Sequence, residues 1–109
     1  MITGFITYLK YNKGYSDNTL RAYENDLRDF ARFINLHYSG TSWRQVNKAM
    51  VDTFVRMLVD AGQKPASIKQ HVSSLRTFFK TCYAMGMEIG NPAKYVSTPK
   101  LEDNLPKAI

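Results

Sequence analysis

A chain of 109 residues, 44% hydrophobic and 22% charged, suffices for one domain with a modest core, and its composition argues against disorder. Lysine and arginine number 15 against 9 acids, a net charge of +6, which favours a polyanionic partner, nucleic acid before an anionic membrane surface. A single cysteine, Cys82, excludes an internal disulfide framework; no apolar run reaches bilayer length, and residues 1–13 lack the basic-then-apolar order of a secretory signal, so the cytoplasm is the expected location.

The first predicted helix carries Ile2, Phe5, Ile6 and Leu9 at helical spacing and ends near Asn12-Lys13-Gly14, where Gly14 can take the left-handed conformation that closes a helix. The second starts at a cap, Ser16, and runs from Asp17 to His37, with Asp17 suited to the positive end of the helix dipole. Leu20, Tyr23, Leu27, Phe30, Ala31 and Ile34 form its apolar stripe. A loop at Ser39-Gly40-Thr41-Ser42 leads through Trp43 and Val46 to a third helix. Asn47 caps it, Met50, Val51, Phe54, Val55, Leu58 and Val59 face inward, and Gly62 ends it. A fourth helix begins near Pro65, buries Ile68, Val72, Leu75, Phe79 and Cys82, and ends around Gly86. After Asn91-Pro92 the apolar periodicity gives way to charges and prolines. The expected division is a helical domain over residues 1–95 and an extended linker over 96–109, leading toward a further domain. The fold class is all-α, a compact bundle of four helices or five.

The fourth helix holds the informative charge. Residues 62–87 contain no Asp or Glu but do contain Lys64, Lys69, Arg76 and Lys80. At roughly 100° per residue, Lys69, Ser73, Arg76 and Lys80 share a narrow stripe, flanked by Gln70 and Thr77 and away from the apolar face. Burying that stripe would bury charge, so it is expected outside. Long cations reach phosphates, short hydroxyls permit close approach, and Gln and Arg have the forked geometry that reads base edges. A plain solvated face is the alternative, but such faces usually mix signs. On the second helix, Arg21, Arg28, Arg32 and Asn25 lie opposite the apolar stripe, diluted by Glu24, Asp26 and Asp29, so Arg28 and Arg32 are expected in local ion pairs. The amides after Ser16, with Asn18, Thr19 and Arg21, suit one phosphate.

Nothing points to catalysis, a metal or a cofactor. His37 and His71 have no ligand cluster at suitable spacing, and His71 is expected partly buried beside the fourth-helix core. Cys82 sits among Phe79, Tyr83 and Met85 as a packing thiol. None of the seven tyrosines has an activating Arg or His cluster. Phosphate-loop glycine patterns and Ser-His-Asp sets are absent.

These residues also carry a resemblance. Ser16-Asp17-Asn18-Thr19-Leu20-Arg21-Ala22-Tyr23, then Asp26-Leu27 and Phe30, resembles the opening of the SAM-like core-binding domain of phage-integrase and Xer-type tyrosine recombinases. Ser67-Ile68 through Ser73-Ser74-Leu75-Arg76-Thr77-Phe78-Phe79 is similar to the same family's fourth helix, with Ser74 where alanine is usual. Asn91-Pro92-Ala93 and Thr98-Pro99-Lys100-Leu101 to Leu105-Pro106-Lys107 resemble its linker. The resemblance implies a clamp domain that lays its second and fourth helices against the major groove of duplex DNA. Thr19, Gln70, Ser73 and Arg76 would be its DNA-facing positions. It implies that the family's catalytic residues lie beyond the linker, so this chain is not expected to cut DNA. The implied partners are a recombination half-site and other recombinase subunits in a synaptic tetramer, with no membrane and no small-molecule ligand. Two other readings remain: a helix-turn-helix regulator, for which residues 37–46 make too long a turn, and a helical protein-interaction domain with an acidic partner. On the clamp reading, Arg76→Ala is expected to weaken duplex binding.

Overall fold

A computed structural model describes residues 2–98 of the chain. Four α-helices, α1 (Ile2–Tyr8), α2 (Asp17–His37), α3 (Lys48–Asp60) and α4 (Pro65–Ala84), form an all-α bundle. No strand occurs among the described residues.

Each boundary has a local cause. Helix α1 runs directly into a π-helical turn, Leu9–Lys13, which Gly14 closes at φ 66°. The periodicity did not reveal this wider turn, because it preserves the burial of both Phe5 and Leu9. Ser16 and Asn47 cap α2 and α3 as expected: Ser16 Oγ accepts from Thr19 N at 3.3 Å, and Asn47 Oδ1 accepts from Met50 N at 3.0 Å. Pro65 opens α4, and Gly62 and Gly86 follow α3 and α4 with positive φ. Between α2 and α3, Trp43–Gln45 form a 3-10 turn held by a reciprocal Ser42–Gln45 capping box.

The core is aromatic and continuous. Phe5 meets Phe78 edge to face at 5.2 Å, and Phe30 meets Phe54 edge to face at 5.1 Å. Trp43 packs on Phe78 at 4.7 Å, so the loop before α3 closes one side of the core. Helix α4 is the central element: Ile68, His71, Val72, Ser74, Leu75, Phe78, Phe79, Thr81 and Cys82 are all buried, about half its circumference. Val59, expected inward, is 45% exposed. It stands at the edge of the α3 stripe in the last turn, where the facing helix no longer covers it.

The segment after α4 belongs to the bundle. Ile89, Ala93 and Val96 are buried in the same core. Residues 92–95 make turns rather than a fifth helix. Val96, the first residue of the expected linker, is one of the core residues. Residues 99–109 of the expected linker, including Pro99, Pro106 and Lys107, lie outside the described residues.

Candidate nucleic-acid interface

Helices α2 and α4 are joined by buried polar side chains as well as by apolar packing. Ser74 Oγ donates to Asp26 Oδ2 at 2.6 Å, and Gln70 Nε2 lies 3.4 Å from both Asp26 Oδ2 and Ser74 Oγ. One turn along, His71 Nε2 lies 3.2 Å from Asp29 Oδ2 and 3.6 Å from Asp26 Oδ1. His71 Nδ1 donates to the Ser67 carbonyl, 2.9 Å away. The order 26 with 74 and 29 with 71 makes the two helices antiparallel. The start of α2 therefore runs beside the later turns of α4. Asp26 is not the surface acid that its position in a charged stretch suggested, but a buried carboxylate whose oxygens are occupied.

The expected contact residues divide into three groups. Asn18, Thr19 and Arg21 are exposed at the start of α2. Thr19 Oγ1 accepts from Ser16 Oγ at 3.0 Å, which leaves the threonine hydroxyl proton free to donate outward. Lys69, Ser73 and Lys80 are exposed on α4, and Thr77 is half-buried beside them. No carboxylate pairs with Lys69, Lys80 or Arg21 among the described residues. Arg28 and Arg32 do have acids, Glu24 and Asp29, as expected.

Gln70 and Arg76 form the third group, and in this structure both side chains are engaged within the chain. Gln70 is exposed but its amide points back toward Asp26 and Ser74. Arg76 is half-buried. Its Nε donates to the Ala93 carbonyl at 2.9 Å and its Nη2 to the Val96 carbonyl at 2.7 Å. The Asn91 side chain completes this clasp by donating to the Arg76 carbonyl at 3.3 Å. On a helical wheel Arg76 lies only about 40° from Val72, at the margin of the stripe. The folded-back tail covers that margin, so the guanidinium meets main-chain carbonyls instead of solvent.

Sequence reasoning missed what the tail adds. The clasp holds residues 89–95 alongside α4 and leaves a groove of about 880 Å³ between them. Ser73, Thr77 and Lys80 line one side, Lys94 and Tyr95 the other, with Tyr83 at the end. Its walls contain no acid. A signal was available only for the link between α2 and α4: Ser74, a hydroxyl on the buried face of α4, calls for a buried partner. Arg76 left no comparable mark, because its partners are backbone atoms. Among the described residues no His, Cys, Asp or Glu cluster of three could hold a metal, and no helix is long and apolar enough to cross a membrane.

Comparison with known proteins fits this architecture. Residues 2–86 match the family described as phage integrase, N-terminal SAM-like domain. The chain is 30% identical over 105 residues to tyrosine recombinase XerD of Oceanobacillus iheyensis, covering 96% of this chain and 35% of that protein. It is 34% identical over 106 residues to tyrosine recombinase XerC of Thermodesulfovibrio yellowstonii, covering 97% and 34%. Against XerC of Listeria monocytogenes it is 36% identical over 103 residues, covering 94% and 34%. The chain thus spans about a third of the length of these relatives. No solved structure gives a significant match. Four helices with no strand among the described residues, and a match over residues 2–86, establish that this chain belongs to the phage integrase N-terminal SAM-like domain family.

Proposed function

We propose that the chain binds duplex DNA as the amino-terminal clamp of a tyrosine site-specific recombinase, seating one subunit on half of a recombination site. The observation that carries this reading is the ridge on α4. Lys69, Ser73 and Lys80 stand exposed on one stripe, with Thr77 beside them, and no carboxylate answers the cations among the described residues. Where the fold has acids to spare, on α2, it uses them on Arg28 and Arg32. Asn18, Thr19 and Arg21 extend the same chemistry to the start of α2, which runs beside the Lys80 end of α4. Lysines and hydroxyls of this kind grip phosphates and set register, and they carry little sequence information. With Arg76 and Gln70 engaged inside the chain, the ridge serves chiefly to hold the DNA backbone in register.

The chemistry of strand cleavage is left to residues beyond this chain, and the other recombinase subunits of a synaptic complex are the expected protein partners. The relatives named as tyrosine recombinases support both assignments, as they support a cytoplasmic site of action.

The test is a salt titration of the 109-residue chain on a random-sequence 30-base-pair duplex, followed by fluorescence anisotropy. Log affinity should fall with log salt at a slope of roughly −0.9 per phosphate neutralised, and Lys69→Ala with Lys80→Ala should flatten it by about 1.8. Binding that ignores salt, or a slope untouched by the double substitution, rejects the reading.

A further inference from the structure

The groove between α4 and the clasped tail has chemistry that the ridge alone does not account for. Lys94 stands on its outer wall, exposed and without an acid partner among the described residues. Its Nζ lies 5.4 Å from the ring centroid of Tyr95, close enough for a cation–π contact that keeps the ammonium at the lip. Lys80 faces it from α4 across the groove. Tyr83 and Tyr95 are 71% and 75% exposed, so two phenols are left in solvent although a well-filled core lies directly beneath. The floor is fixed, because Arg76 and Asn91 hold the two walls together.

We propose that this groove is a second phosphate-binding seat, in which Lys80 and Lys94 flank the sugar–phosphate backbone of one DNA strand and Tyr83 and Tyr95 donate their hydroxyls to it. The proposal rests on the DNA-clamp reading and deepens it. The geometry is that of a helix in the major groove. An α-helix with its side chains is about 10–12 Å across and the groove about 12 Å wide, so a backbone must pass on each side of the helix. On one side of α4 stands the start of α2, with Asn18, Thr19 and Arg21. On the other stands the tail. A strand passing there meets two cations, two phenols and no carboxylate. An acidic protein segment would satisfy the same cations, and it is the rival occupant that the experiment separates from a DNA strand.

The experiment measures binding of the 109-residue chain to the same random-sequence duplex across a salt series, for the parent and for Lys94→Ala, Lys94→Glu and Tyr95→Ala. Lys94→Ala should weaken binding several-fold at low salt and flatten the salt slope by roughly 0.9, one phosphate's worth. Lys94→Glu should weaken it further. Tyr95→Ala should lower affinity while leaving the slope nearly unchanged, since it removes a hydrogen-bonding group but no charge. Thermal melts should not move for any of the three, because these side chains are exposed and the clasp uses only main chain at positions 93 and 96. Affinity and slope unchanged in Lys94→Ala while Lys69→Ala lowers both overturns the groove and leaves the clamp standing. No duplex binding by the parent at low salt removes both. Polyglutamate displacing the duplex at equal charge, with its own binding abolished by Lys94→Glu, assigns the groove to a protein and overturns the proposal.

Discussion

Ser74 and Asp26 show how one hydroxyl can decide the position of two helices. A carboxylate taken out of water is costly unless its oxygens are met by donors. Asp26 is 8% exposed and has Ser74 Oγ at 2.6 Å, with Gln70 and His71 completing its surroundings. Replacing Ser74 with alanine removes the shortest of these contacts and leaves part of a buried charge unmet. Ser74→Ala should lower unfolding free energy by about 1–3 kcal/mol, read as a shifted urea midpoint at constant slope. A value near zero would show that Gln70 or water takes over the hydroxyl's place. The double variant with Asp26→Asn should lose less than the sum of the two single losses, because the two side chains serve one another.

At the scale of the element, α4 meets a different neighbour on each margin: α2 through Asp26 and Asp29, and the tail through Arg76. Arg76 holds the tail by two hydrogen bonds from a charged donor, each of a kind that typically contributes about 1.5–3 kcal/mol. Half exposure reduces this, and Arg76→Ala should destabilise the chain by about 2 kcal/mol, with faster amide exchange at Lys94 and Val96. Arg76→Lys should recover little, since an ammonium lacks the planar fork that reaches two carbonyls at once. A loss of DNA affinity with no loss of stability would instead return Arg76 to the interface. The helices themselves were legible in the sequence because caps, glycine stops and a 3.6-residue period act within a few residues. Ser16, Asn47, Pro65 and Gly62 stand where those rules put them. The ridge of Lys69, Ser73 and Lys80 was legible for the same reason. The roles of Gln70, Arg76 and Asp26 were not, because their partners lie 44, 17 or 20, and 48 residues away. A wheel drawn for one helix contains no neighbour. The groove was hidden too, since it exists only once the tail has folded back.

For the molecule as a whole, the core tolerates little that is charged. Cys82 is buried, and burial pushes its thiol above the ordinary value. A folded-state value that is raised means that the native chain holds this proton more tightly than the unfolded one. Its stabilising effect is therefore complete at neutral pH and is lost as pH climbs past the ordinary thiol value of about 8.5 toward the raised one. Cys82→Ala should show a shallower fall in melting temperature between neutral and strongly alkaline pH than the parent. Parallel curves would mean that lysine and tyrosine titration alone governs alkaline unfolding. The clasp between Arg76 and the tail bears on the whole chain in another way. It recognises carbonyl oxygens, which every residue possesses. A grip of that kind is blind to the side chains it carries past α4. Positions 94 and 95 can thus change identity, and with them the character of the adjoining surface, while the scaffold beneath keeps its shape. Such an arrangement lets a lineage retune what it touches without having to refold.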